Sequence, residues 1–233
     1  MTAMMTHPTE LLPPTAGDRL LPARPGIGLA DHRRRVGALP DRSAAELVAM
    51  VDAAGLQGRG GAGFSTARKI AAVAAAVGKT RRPAVVVANC CEGDPTAAKD
   101  RVLIDRSPHL VIDGAVAAAA AVQADRVVLA VHHGSSARRT LEVALTERPG
   151  ERVRIEVVAV PARYLASEAT ALLRFLDTGD ARPAGRRPIW EKGVQDRPTL
   201  VDNAETLAHL ALITRFGAGW FGAVGHPAEP GTM

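Results

Sequence analysis

The sequence predicts an α/β domain in three layers, a short parallel sheet flanked by helices, and three observations carry that expectation. Short apolar runs rich in β-branched residues occur at Ala84 to Asn89, Arg126 to Val131 and Val153 to Val160, the composition of strands buried on both faces. Stretches with apolar residues at helical spacing separate them, and strands alternating with helices imply a parallel sheet covered on both sides. A chain of 233 residues can also bury one substantial core, which at 47% hydrophobic but only 3% aromatic residues must be built from Ala, Val, Leu and Ile.

Residues 1–40 hold Pro8, Pro13, Pro14, Pro22, Pro25 and Pro40 without sustained periodicity, which predicts an extended or partly disordered arm. The folded body is expected over 41–225, with 226–233 as a tail. Ser43 and Glu46 form a capping box ahead of Leu47, Val48, Met50, Val51 and Ala54, one apolar helical face. A glycine-rich segment follows, and Ser65 or Thr66 can cap a helix over Ala67 to Val77. Beyond the first strand come a helix over His109 to Gln123, the second strand, a helix over Ser135 to Glu147 and the third strand. A fourth strand is left open. Ser167 to Leu176 reads as a helix closed by Gly179, and Asp202 to Phe216 as another, capped by Asp202 or Asn203. The Pro/Arg-rich stretch Ala181 to Pro198 between them either covers a site or connects two helices.

The net charge of +5, from 29 basic and 24 acidic residues, does not point to nucleic acid. The excess sits in short clusters such as Arg33-Arg34-Arg35 and Arg186-Arg187 without interleaved aromatics, and there is little to stack bases on. The only two cysteines are the adjacent Cys90 and Cys91, which offer neither metal spacing nor a disulfide framework, read as small buried thiols and suit a reducing compartment. The apolar run Ala115 to Val122 is too short to span a bilayer, and residues 1–10 lack the regions of a secretory signal. A cytoplasmic protein without direct membrane insertion is expected. His132 and His133 read as a surface pair.

The segment from Gly55 to Phe64 carries five glycines in ten residues. Glycine costs ordering entropy, so such a run needs a reason, and the reason it suggests is close approach of backbone to a ligand. Gly58, Gly60 and Gly63 satisfy G-x-G-x-x-G, but that fingerprint normally follows a strand. Here a helix precedes it, so the reading is an anion site of the form helix, loop, helix. Asn89-Cys90-Cys91-Glu92-Gly93-Asp94-Pro95 then emerges at the carboxyl end of a strand, where open parallel sheets hold their ligands.

Four blocks occur in one order: Gly58 to Thr66 with Lys69; Asn89 to Arg101 with Ser107-Pro108-His109-Leu110; Tyr164 to Leu173; and Arg197-Pro198-Thr199-Leu200-Val201-Asp202-Asn203-Ala204-Glu205-Thr206-Leu207. Over about residues 43–222 they resemble the NADH- and FMN-binding flavoprotein subunit of respiratory complex I and its soluble relatives in hydrogenases and formate dehydrogenases. The resemblance implies a Rossmann-like domain that passes a hydride from NADH to FMN. It implies nucleotide contacts from Gly58, Arg59, Gly60, Gly61, Ala62, Gly63 and Phe64, with Phe64 on the adenine side, and from Asp94 and Glu168. It implies FMN contacts from Lys69, Asn89, Cys91, Glu92, Tyr164, Asp202, Asn203 and Thr206. No catalytic acid, base or nucleophile is implied, because the chemistry resides in the cofactor.

The chain departs from the family pattern at several of these positions. N-A-D-E reads Asn89-Cys90-Cys91-Glu92, G-E-E-T reads Ser167-Glu168-Ala169-Thr170, N-N-V-E-T-L reads Asp202-Asn203-Ala204-Glu205-Thr206-Leu207, and Ala72 stands where an aromatic is usual. The family continues into a ubiquitin-like domain and a helical domain whose four cysteines hold a [4Fe-4S] cluster. No cluster is expected in this chain, and electrons would leave to a separate iron-sulfur partner. The alternative is a non-catalytic homologue that binds flavin or nucleotide, or serves assembly.

Overall fold

The computed structural model describes residues 13–22, 28–94, 96–162, 167–183, 188–226 and 229–231. Four strands, β1 (Ala84–Asn89), β2 (Ala124–His132), β3 (Arg154–Val160) and β4 (Thr199–Asn203), pair in parallel in the order β3-β2-β1-β4. In register, Val87 lies beside Val128 on one side and Val201 on the other. The alternating strand residues sort into two apolar layers. Val86, Ala88, Val127, Leu129 and Val131 face a large layer of helices, and Val85, Val87, Val128, Ala130 and Val160 face a thin one.

The large layer holds α2 (Ala44–Ala54), α3 (Thr66–Thr80), α5 (Pro108–Val122) and α8 (Ala204–Gly222), with α4 (Lys99–Arg106) and α6 (Ser136–Thr146) beside them. The thin layer is α7 (Ala169–Thr178) with Ile189 and Val194 from the segment before β4. The fold is therefore the expected three-layer Rossmann-like α/β arrangement, with most of its helices on one side. Helix α5 is buried nearly all round, which Ala and Gly permit by letting neighbours approach. A Cβ added at Gly114 would fall 1.8 Å from the carbonyl oxygen of Leu207, so α8 rests directly on the α5 backbone.

Local chemistry sets the element ends. Ser43 and Glu46 form both halves of the capping box, Ser65 accepts from the Arg68 amide ahead of α3, and Gly179 in the left-handed region closes α7. Asn203 caps α8 by accepting from the Thr206 amide at 3.0 Å.

Three features differ from the sequence reading. A helix, α1 (Leu29–Val36), stands in the stretch read as an extended arm. It is held because His32 approaches the buried Asp113 of α5 at 2.7 Å, a tertiary partner that local pattern does not reveal. Nearby, Arg19 donates to the carbonyls of Phe221 at 2.8 Å and Trp220 at 2.6 Å. The expected helix over His109 to Gln123 is α5, but a further helix not read from the sequence, α4, precedes it, parted from it at Ser107 with Pro108 opening α5, a position where proline's missing N–H costs nothing. Finally, α8 runs past Phe216 to Gly222 by breaking at Gly217, whose φ is +82°. Among the described residues, no helix is long and apolar enough to cross a membrane.

Candidate functional site

The chain passes from β1 to β2 to β3 in one direction across the sheet and returns to place β4 on the other side of β1. The carboxyl ends of β1 and β4, Asn89 and Asn203, therefore open a crevice at the point where the order reverses, the preferred ligand position of open α/β sheets. A cleft of about 620 Å³ lies there, within the size range of small-molecule and cofactor sites.

One wall is the glycine-rich loop. The Thr66 amide donates to Leu56 O at 2.9 Å and the Gly58 amide to Phe64 O at 2.8 Å, so residues between Gly58 and Phe64 form a closed excursion ahead of α3. Gly61 and Gly63 adopt φ of +102° and +58°, a region that favours glycine. A Cβ on Gly60 would meet nothing within 4 Å, so backbone faces open space in the cleft. The loop is tied to α8, since the Arg59 amide donates to Thr206 Oγ1 at 2.8 Å. Thr206 Oγ1 in turn donates to Asn203 Oδ1.

The floor and far wall come from α3 and β4. Lys69 Nζ donates to Asp202 Oδ1 at 2.6 Å and to Val201 O at 3.1 Å. Asp202 is buried, and its Oδ2 has no hydrogen-bond partner. Burial pushes its carboxyl above the ordinary range, with Lys69 opposing. Asn203 Nδ2 is likewise a buried donor without a partner. Ala72, Val73, Ile189 and Leu200 add apolar wall. Phe64 and Trp190, 52% and 47% exposed, are among the few large apolar side chains left open to solvent, and both line this cleft.

Of the residues singled out from sequence, Gly58, Gly60, Ala62, Gly63, Phe64, Lys69, Asn89, Glu168, Asp202, Asn203 and Thr206 line this one cleft. Besides the contacts of Lys69, Asp202, Asn203 and Thr206 already described, Asn89 and Glu168 are engaged with protein. Asn89 Nδ2 donates to Ser167 O at 2.7 Å. Glu168 caps α7, accepting from the amides of Thr170 and Ala171 at 2.9 and 3.0 Å. Arg59 and Gly61 belong to the loop without lining the cleft, and the Arg59 guanidinium donates to Pro230 O.

Three residues turn elsewhere. Cys91 faces the thin apolar layer with its thiol on Ala130 O, and burial pushes that thiol up to about 12. It is inert apolar packing rather than part of the cleft wall, because the chain turns across the sheet end immediately after β1. Glu92 accepts from the Asp100 amide at 3.0 Å and lines a separate cavity of about 300 Å³ with Cys90, Arg101, His132 and His133. His132, read as a surface histidine, has its ring nitrogens 3.0 Å from Glu92 O and 3.2 Å from Pro161 O. Asp94 is exposed and closes a local turn by accepting from the Thr96 amide and hydroxyl at 2.8 and 2.7 Å. Tyr164 lies outside the described residues. Trp190 and Ile189 were missed in the sequence; the available signal was a tryptophan in the Pro/Arg-rich loop of a chain so poor in aromatics.

Apolar walls of this kind suit a planar ring, and open glycine backbone, the α8 N-terminus and the unpartnered Asn203 Nδ2 suit a polar or anionic tail. The Nuo51 FMN-binding domain model matches residues 51–212. The F 2 subunit of NADH-quinone oxidoreductase from Rhizobium meliloti is 31% identical over 208 residues, covering 83% of this chain and 49% of the relative. The corresponding F subunit from Salmonella typhimurium is 30% identical over 234 residues, covering 92% of this chain and 52% of its own length. The chain thus spans about half the length of the curated relatives it matches. A chain of NAD+-reducing [NiFe]-hydrogenase in the air-oxidized state superposes with a TM-score of 0.73 at 34% identity, over 81% of this chain and 33% of that one. The H2-reduced state gives 0.70 at 31%, over 81% and 34%.

Proposed function

The chain belongs to the Nuo51 FMN-binding domain family, and on that premise we propose that it is the flavin module of an NADH dehydrogenase, moving a hydride from NADH to FMN. The observation that carries this reading is the cleft at the β1/β4 switch point, where a closed glycine loop, an α8 N-terminus and two exposed aromatics converge. Bound FMN supplies the hydride-accepting ring and the capacity to release electrons singly to a separate iron-sulfur protein.

The protein's own residues bind, orient and exclude water. Gly58, Gly60 and Gly63 let a ligand lie against backbone amides, and Phe64 and Trp190 offer faces for a heteroaromatic ring. Val73, Ile189 and Leu200 keep the ring's surroundings dry. Asn203 Nδ2 and the first-turn amides of α8 are suited to the phosphate tail. Asn89 and Glu168 stand at the rim, oriented by Ser167 and by the α7 amides. No side chain need act as acid or base.

The test is a visible absorption spectrum of protein desalted after incubation with FMN, repeated anaerobically with NADH. Retained flavin that bleaches is the expected result; retained flavin that stays oxidised would refute hydride transfer, and a colourless protein would refute the flavin reading. A second reading, a non-catalytic nucleotide-binding or assembly subunit, is favoured by one observation: Lys69 and Glu168 already direct their charges to Asp202 and the α7 cap. Restoring Ala169→Glu and Asp202→Asn together, both on the cleft wall, should then create turnover.

A further inference from the structure

Among the described residues, Lys69 and Arg68 are the cations on the cleft wall. Arg68 is exposed at the mouth, whereas Lys69 is held within the wall. The ammonium of Lys69 sits 2.6 Å from Asp202 Oδ1, and the Asp202 side chain is only 1% exposed. Its second oxygen has no partner, so no other described group in the wall offsets the carboxylate charge. The pair is therefore close to neutral as seen from the cleft. An ammonium so matched presents a dipole to an arriving anion, and its attraction falls accordingly. Asn203, the next residue, is the N-cap of α8, so the same carboxylate stands one residue before the helix terminus that would otherwise favour a phosphate.

Resting on the flavin reading above, we infer that Asp202 is a charge selector: it cancels the phosphate-binding advantage of Lys69 and the α8 terminus, so the cleft holds an uncharged flavin tail as well as a phosphorylated one. Ring recognition by the apolar walls is common to both ligands, and the tail's charge is the sole difference that Asp202 reads. Riboflavin and FMN are then near-equivalent ligands, and a neutral isostere at 202 turns the cleft into an FMN selector. Asp202→Asn keeps an oxygen for Lys69 and the shape of the wall, and the ratio of the two flavin affinities cancels any effect on the ring that both ligands share.

The experiment is a pair of equilibrium titrations, riboflavin and FMN, followed by flavin fluorescence on the native chain and on Asp202→Asn. The expected result is a native affinity ratio within about threefold, rising to about tenfold or more in favour of FMN in the variant. FMN bound more than about tenfold tighter than riboflavin by the native chain overturns the inference without any variant. An equal native ratio that Asp202→Asn leaves unchanged also overturns it, because the tail would then be read elsewhere, as by Arg68. Absence of binding of either flavin to both proteins overturns the flavin reading itself, and this inference with it.

Discussion

Gly114→Ala tests the central packing of the fold. The added methyl would fall 1.8 Å from Leu207 O, 2.3 Å from Leu207 C and 2.9 Å from Leu207 Cα. Carbon contacts settle at about 3.5 Å, so α5 and α8 must part by roughly 1.5 Å or rotate. Neither is cheap, because Ile112, Ala115, Ala208 and Ala211 beside the contact are fully buried. In an open helix the change would add about 1 kcal/mol, and the exposed Gly78 of α3, with nothing within 4 Å of its Cβ position, provides that control. Overpacking typically costs about 1–3 kcal/mol and occasionally more, and a backbone obstacle cannot swing aside as a side-chain tip does. We expect a net loss of about 2–4 kcal/mol, which lowers the melting temperature by roughly 5–15 °C. Urea denaturation and calorimetry of parent, Gly114→Ala and Gly78→Ala measure it. A Gly114→Ala protein that melts at or above the parent would refute the packing argument. Because α8 begins at the cleft, the same variant should also retain less flavin.

Asp113 holds His32 at 2.7 Å, Arg148 at 2.6 Å and Arg215. Asp113→Ala leaves the buried Arg215 guanidinium without its carboxylate and Arg148 with Glu151 alone, and should cost about 3–5 kcal/mol in urea denaturation. Burial, then the charges of Arg148 and His32, hold the His109 imidazole down to about 4. Its folded value is below the ordinary 6.5, so its contribution is complete above pH 6.5 and is lost as pH falls toward 4, by about 3 kcal/mol. A stability flat from pH 7 to 5 would contradict that, and His109→Phe should reduce the slope, leaving the part that His32 and His209, also held below the ordinary value chiefly by burial, contribute. Glu205 adds a second acid loss below its ordinary 4.5 because burial, which raises it, is outweighed by His209 and Lys99, leaving it at about 2. Trp190→Ala should weaken NADH binding about three- to tenfold, the worth of one aromatic contact, without changing the melting temperature; unchanged affinity would remove Trp190 from the site.

Strands β1 to β3 and the helix caps were legible because their causes are local: β-branched runs, a Ser43/Glu46 box, a glycine at a helix end. Of the cleft residues, Asn89 was legible from its place at a strand end, and Asp202, Asn203 and Thr206 through the family resemblance. Asn89, Asp202, Asn203 and Thr206 sit at strand ends or a helix start, and topology brings such positions together. Helix α1 was not legible, since His32 finds Asp113 across 81 positions. Nor were the directions of Cys91, Glu92 and Asp94, which depend on how the chain turns after β1 and on which layer receives each side chain. The pairing of Lys69 with Asp202 spans 133 positions, and its charge neutrality emerges only when α3 and β4 are adjacent.

The Thr206 hydroxyl accepts from the Arg59 amide and donates to the Asn203 side chain, so one atom joins the glycine loop, the end of β4 and the first turn of α8. A loop held this way is ordered before any ligand arrives, and the rate at which a ligand leaves becomes the rate at which that junction opens. Thr206→Val should therefore shorten residence time while leaving association nearly unchanged, which stopped-flow displacement resolves. Through that junction, the lifetime of a complex at the sheet's edge is set by how often the first turn of α8 lets go of the loop.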